Sequence, residues 1–170
     1  MRRVLTADAS DEELLRQCLV QTFRGSGPGG QNRNKVETAV RLVHRPTGLE
    51  AIATESRSQH ENRVRALRRL RLALALRVRR PAAEGVPPAV AACIGKEGRL
   101  AVGRHDSRYL PCAAALLDVL ASHGGRVSDA AAQVGVSTGN LSRFLTADPD
   151  LMAAANAIRT EAGLRPLRRG

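Results

Sequence analysis

Residues 24–35 read Arg-Gly-Ser-Gly-Pro-Gly-Gly-Gln-Asn-Arg-Asn-Lys, and residues 39–54 read Ala-Val-Arg-Leu-Val-His-Arg-Pro-Thr-Gly-Leu-Glu-Ala-Ile-Ala-Thr. The first piece places four glycines, Gly25, Gly27, Gly29 and Gly30, within six residues. Glycine reaches positive φ and lets the main chain approach a ligand closely, at an entropic cost that a plain surface turn does not justify. Gly25, Gly27 and Gly30 also satisfy a G-x-G-x-x-G dinucleotide pattern, with Glu50 at the required distance. The second piece decides against that fold. Ala39–Val43 and Leu49–Thr54 alternate and carry β-branched residues around Pro46-Thr47-Gly48, which predicts an antiparallel hairpin. A dinucleotide site needs a parallel βαβ unit instead. No Gly-Lys-Ser/Thr is present, so a Walker loop is excluded as well.

No Asp, Glu, His, Cys or Lys lies between Gly25 and Asn32. The loop therefore holds no side-chain acid, base or strong nucleophile, and its chemistry must come from positioning and backbone dipoles. Arg24, Arg33 and Lys35 flank it and can hold phosphates.

Upstream, Ser10-Asp11-Glu12-Glu13 is a capping box opening a short helix, and Cys18–Phe23 reads as a strand entering the loop. Asn32–Thr38 is polar and predicts one or two helical turns. Downstream, Ser58-Gln59-His60-Glu61 is a second capping box that opens a helix running to about Arg80, where Pro81 stops it. Val64, Leu67, Leu70, Leu74 and Val78 form one buried stripe. Arg63, Arg65, Arg68, Arg69, Arg71, Arg77 and Arg79 crowd the other faces, with Glu61 the single acid among them. Part of that arrangement serves helix packing; the uncompensated charge predicts RNA contact.

Pro81–Pro88 carries three prolines and reads as a linker, and Lys96-Glu97-Gly98-Arg99 as a turn. Helical patterning resumes near Leu110. Ala113–His123 is a helix ended by Gly124-Gly125. Ser128 is the expected cap of a second helix, Asp129–Val134, and Ser137 of a third ending near Leu145. Ala131, Gly135, Leu141 and Phe144 fall where a helix-turn-helix wants a small residue, a turn glycine and two apolar contacts. The same pattern also builds generic small bundles. The presumed recognition helix offers Thr138, Asn140, Ser142 and Arg143, a single charge, so DNA binding by this module alone is expected to be weak. A last helix, Asp150–Ala162, precedes a basic stub, Leu164–Gly170.

The 170 residues carry a formal charge of +11, which favours a polyanionic partner. Residues 1–80 hold 17 basic against 8 acidic side chains and residues 81–170 hold 10 against 8, so the footprint belongs to the half with the glycine loop. Only Phe23, Tyr109 and Phe144 are aromatic, which argues against base stacking and for phosphate contact. Cys18, Cys93 and Cys112 are odd in number and far apart, as expected of reduced thiols in the cytoplasm, and the four histidines lack metal-ligand spacing. No metal and no cofactor is expected. No membrane segment is expected either, and the N-terminus lacks an apolar targeting region.

Ser26-Gly27-x-Gly29-Gly30-Gln31 followed by Asn34-Lys35 resembles the GGQ motif of class I peptide chain release factors and their relatives. Thr38-Ala39-Val40-Arg41, His44-Arg45-Pro46-Thr47-Gly48-Leu49 and Glu55-Ser56-Arg57-Ser58-Gln59-His60-x-Asn62 continue the resemblance in order, over roughly residues 18–75. Gly25 stands where a serine is common and Arg33 where a small apolar residue is common.

The resemblance implies an ester hydrolase that works inside the peptidyl transferase centre of the large ribosomal subunit. Its catalytic residues would be Gly29, Gly30 and Gln31. The Gln31 backbone N–H would stabilise the oxyanion and its side chain would shape the water site. Arg24, Ser26, Arg33, Asn34, Lys35, Arg57, His60, Arg63, Arg65, Arg68, Arg69 and, on the distal helix, Arg143 are the expected RNA contacts. Ribosomal RNA and peptidyl-tRNA are the expected partners, with RNA or a protein on the C-terminal module. Decoding members use a large additional domain, whereas 23 residues precede Arg24 here; a codon-independent rescue factor is the expectation. The architecture expected is α+β: a GGQ domain over residues 1–80 with a hairpin and a long helix, an unassigned linker over 81–110, and an all-α helix-turn-helix-like module over 111–170. The rival reading is a nucleic-acid-binding regulator that uses the helix-turn-helix and carries an inactive GGQ-like domain.

Overall fold

A computed structural model of the chain describes residues 9–24 and 36–169. These divide into two compact units, residues up to 74 and residues from 75. The fold is α+β, as the sequence predicts.

The first unit opens with α1, Asp11–Arg16, and the Ser10–Glu13 capping box forms in full. The Glu13 N–H donates to Ser10 Oγ and the Ser10 N–H donates to the Glu13 carboxylate at 3.0 Å. β1 (Cys18–Phe23), β2 (Ala39–His44) and β3 (Glu50–Ala53) make one antiparallel sheet in that order. Phe23 pairs with Ala39, Cys18 with His44, and Leu42 with Ala51. Period-2 alternation puts Val40, Leu42, His44, Ala51 and Ala53 on a buried face. The hairpin turn is the predicted one: the Gly48 N–H, at φ 71°, donates to the His44 carbonyl at 2.8 Å.

α2 spans Gln59–Arg77 and buries Ala66, Leu67, Leu70 and Leu74. Val64 and Val78 are half-buried. The helix ends three residues before the predicted stop. Its second capping box forms by half: the Glu61 N–H donates to Ser58 Oγ at 3.3 Å, but the Glu61 carboxylate takes the Ser56 hydroxyl at 2.6 Å. The Ser58 N–H turns to Ser56 Oγ instead. The predicted helical turns over 32–38 fall partly outside the described residues; positions 36–38 are not helical.

The second unit is helical: α3 (Pro88–Ala91), α4 (Tyr109–Ser122), α5 (Val127–Val134), α6 (Thr138–Ala147) and α7 (Pro149–Glu161). Residues 81–87, within the stretch read as a linker, carry no helix or strand, whereas 89–110, left unassigned, hold part of the core. Val90 and Cys93 are core residues beside Leu116 and Leu117, an isolated bridge joins Ile94 to Leu100, and the predicted 96–99 turn closes beneath it. Pro87 caps α3 and Pro88 opens it, since proline is tolerated in a helix's first turn.

A short turn at Gly135–Ser137 joins α5 to α6. Gly135 caps α5 at φ 74° and Ser137 Oγ accepts the Asn140 N–H, both as predicted. Ser128, expected as a cap, lies inside α5 instead. Its hydroxyl bonds to Asp129 and the helix starts at Val127, because that valine is buried in the core and draws the first turn inward. The basic stub is strapped down. Asn156 brackets the backbone of Leu167 with two hydrogen bonds, and Arg169 donates to the Thr146 and Ala147 carbonyls at 3.0 and 2.9 Å.

Candidate functional site

The predicted catalytic residues Gly29, Gly30 and Gln31, with Ser26, Arg33, Asn34 and Lys35, lie outside the described residues. What surrounds their stretch is described. β1 ends at Phe23 and β2 begins at Ala39, and these two residues are register partners. The connection over residues 24–38 therefore leaves and rejoins the sheet on neighbouring strands. Arg24, at its start, is exposed.

The returning end is held by the first turn of α2. Asn62 is fully buried; its Nδ2 donates to the Thr38 carbonyl at 2.7 Å and to the Ser56 carbonyl at 2.8 Å, and its Oδ1 accepts the Ser56 N–H at 2.9 Å. Gln59 Nε2 donates to the Glu37 carbonyl at 2.9 Å. The Glu37 carboxylate in turn accepts from the Thr22 hydroxyl at 3.2 Å, tying the return to the outgoing strand. The Glu37 and Thr38 carbonyls are thus held by side chains from the first turn of α2.

A second anchor sits at the far end of β1 and β2. His44 is fully buried. Its Nδ1 is 2.8 Å from Thr47 Oγ1 and its Nε2 is 3.0 Å from Gln17 Oε1. Gln17 Oε1 can only accept, so the network assigns the ring hydrogen to Nε2 and makes Nδ1 the acceptor of the Thr47 hydroxyl. Thr47 Oγ1 also accepts the Leu49 N–H. Burial holds the imidazole pKa below its ordinary value of 6.5.

The arginines of α2 separate into two groups. Arg69 donates to the Ile52 carbonyl and to the Glu55 carboxylate, so it clamps α2 to β3, and this pairing holds the Glu55 carboxyl below the usual range. Arg65 makes a 3.7 Å ion pair with Glu61, and Arg71 reaches Asp11 at 2.7 Å. Arg57, His60, Arg63 and Arg68 are exposed and make no hydrogen bond or ion pair with the described residues. The predicted RNA contacts on this helix thus resolve into a clamp, two local pairs and an uncommitted set. Arg143, on α6, belongs to the other unit.

Sequence reasoning gave no role to Asn62. The signal was present: Asn62, Ala66, Leu70 and Leu74 repeat every four residues, so a polar residue stands on the apolar stripe and must be satisfied there. In the second unit, Asn140, one of the side chains offered by the presumed recognition helix, accepts the Leu100 N–H through Oδ1 at 3.0 Å.

Among the described residues no group of acidic, His or Cys side chains can hold a metal, and no helix is long and apolar enough to cross a membrane. Cys18, Cys93 and Cys112 are free and buried.

Residues 12–87 match the RF-1 domain family. The chain is 50% identical over 66 residues to peptide chain release factor 1 of Chlorobaculum tepidum, covering 38% of this chain and 18% of that protein. It is 42% identical over 95 residues to peptide chain release factor 1 of Leptothrix cholodnii, covering 55% and 26%. Peptide chain release factor 2 of Paramagnetospirillum magneticum is 48% identical over 58 residues, 34% of this chain and 16% of that one. The chain thus spans about a quarter or less of the length of these relatives. Residues 12–87, with their strand, hairpin and long helix, are thus similar to the RF-1 domain of peptide chain release factors.

Proposed function

We propose that the chain releases nascent peptides from stalled ribosomes by hydrolysing the peptidyl-tRNA ester in the peptidyl transferase centre, without reading a stop codon. The observation that carries the reading is the RF-1 domain match over residues 12–87, with Gly29-Gly30-Gln31 in the β1–β2 connection. Water attacks the ester carbonyl, and the developing oxyanion takes a donor already in place, the Gln31 backbone N–H. Proton transfer falls to the RNA, in keeping with a loop that has no acid or base. The ribosome supplies the rest of the site, so free peptidyl-tRNA is a poor substrate.

Two features of the described residues support this. The return of the loop is fixed by Asn62 and Gln59, which limits the conformations the glycines must give up on entering a narrow site. Arg57, Arg63 and Arg68 offer uncommitted charge to ribosomal RNA. For the codon-independent form we take the helices of the second unit, residues 88–161, as the targeting module. The compartment is the cytoplasm, where ribosomes translate.

The test is peptide release from ribosomes carrying peptidyl-tRNA and an empty A site, with and without a stop codon. Equal release in both, and its loss in Gln31→Ala, is expected. Release only with a stop codon would end the codon-independent reading; no release from ribosomes that bind the protein would end the hydrolase reading.

A further inference from the structure

A cleft of about 590 Å³ lies on α6, lined by Gly139, Ser142, Arg143, Thr146, Arg168 and Arg169. Among the described residues, three of the unit's six arginines without a carboxylate partner meet in this cleft, the others being Arg77, Arg159 and Arg165. Arg79, Arg80, Arg99, Arg104, Arg108 and Arg126 each stand within 4 Å of a carboxylate: Asp118 for the first two, then Glu97, Asp148, Asp106 and Asp129. The three arginines of the cleft have no carboxylate partner among the described residues, and no acidic side chain lines it. Positive charge gathered where the unit supplies no counter-charge calls for an external anion.

The local structure holds that charge in place. Arg169 donates to the Thr146 and Ala147 carbonyls, which offsets the negative end of the α6 dipole at the cleft's edge. The strap that carries Arg168 is fixed by Asn156 at Leu167, one residue away. Arg143 and Arg168 are exposed and bonded to nothing else described. Ser142 lines the same cleft and adds a neutral hydroxyl donor.

We propose that this cleft seats the phosphate backbone of RNA, giving the helical unit its own nucleic-acid contact apart from the GGQ domain. The choice of RNA over DNA rests on the ribosomal reading above. It also fits α6 itself, where Asn140 Oδ1 is occupied by Leu100 and so is lost as a base-reading acceptor. What remains is phosphate recognition.

The experiment titrates the full-length protein with a 20-base-pair RNA duplex between 50 and 200 mM salt, beside a DNA duplex of the same sequence and a polyglutamate peptide. Removing two phosphate contacts should flatten the log K against log salt slope by about 1.4 to 1.8. Arg143→Ala with Arg168→Ala is expected to show that change on RNA, and the double lysine variant to keep the parent slope. Peptide release by the parent protein is measured in parallel, so a failed hydrolase reading and a failed cleft reading are told apart. Cross-linking of 4-thiouridine RNA to full-length protein, expected within residues 138–147 and 165–169, gives a readout independent of the variants. Unchanged affinity and slope in the double alanine variant overturn the proposal. So does cross-linking confined to other segments, or a loss seen on DNA or on polyglutamate but not on RNA.

Discussion

Asn62 Nδ2 donates to the Thr38 carbonyl at 2.7 Å, joining the first turn of α2 to the last residue before β2. The same amide completes two bonds to Ser56, so one buried side chain satisfies three backbone groups. Asn62→Ala leaves these groups unpaired, at about 1–3 kcal/mol for each that water cannot reach. We expect a loss of about 2–4 kcal/mol in urea unfolding of the first unit, together with weaker peptide release. A variant that releases peptide at the parent rate, despite the lost stability, would separate the anchor from function.

His44 predicts a pH dependence whose sign follows from its burial. Its folded pKa lies below 6.5, so above 6.5 the ring is neutral in both states and adds no slope. As pH falls below 6.5 the unfolded chain takes up a proton before the folded one does, and stability is lost toward the folded pKa. The Glu13 and Glu55 carboxyls, both held below 4.5, lose their contribution only at lower pH. Unfolding curves at pH 7.5 and 5 should therefore differ in the parent, and differ less in His44→Gln. An unchanged difference would place the titrating group elsewhere.

Local chemistry made much of this fold readable in the sequence. The Ser10–Glu13 box, the Pro46-Thr47-Gly48 turn, the α2 stripe and the Gly135–Ser137 turn each rest on residues within a few positions of one another. The misreadings have a shared cause: partners distant in sequence. Residues 89–110 show no periodic pattern of their own, yet Val90 and Cys93 join a core built from α4. Ser128 looked like a cap until Val127 was drawn into that core. Among the candidate site residues, the charge of α2 was legible, but not its division, because Glu55 and Ile52, the partners of Arg69, lie 14 and 17 residues away.

The second unit contains a buried ionic cluster that tests the same idea. Asp118 accepts the Arg80 N–H at 3.0 Å and stands 3.1 Å from Arg79 Nη1. Burial raises its pKa despite these partners, and burial likewise lowers that of Arg79. Asp118→Ala strands a largely buried guanidinium, which typically costs about 3–5 kcal/mol. Asp118→Leu combined with Arg79→Leu should cost less than the single alanine variant, as thermal unfolding would report. A double variant as unstable as the single would assign the loss to packing rather than charge.

The two groups of α2 arginines should separate in a paired assay. Arg69→Ala removes a half-exposed clamp and should cost on the order of 1 kcal/mol of stability, with ribosome binding changed only through that loss. Arg63→Ala with Arg68→Ala should leave the unfolding midpoint within experimental scatter, since neither side chain is bonded to the described residues. The same double variant should weaken ribosome binding more at 50 than at 200 mM salt, because fewer counterions are released. If Arg69→Ala and the double variant lose ribosome binding equally at matched stability, the helix presents its charge as a whole face and the division into clamp and contact is wrong.

The oxyanion role proposed for Gln31 distinguishes its backbone from its side chain. Gln31→Pro deletes the N–H while Gln31→Ala keeps it. Loss of one such donor costs about 10² to 10³ in rate, so the proline variant should fall below the alanine variant by a margin of that order in single-turnover release. Gly30→Ala provides a control that keeps the N–H but restricts the backbone that glycine permits. Release by Gln31→Pro equal to that of Gln31→Ala would move the oxyanion donor off this peptide and onto another group in the ribosomal site.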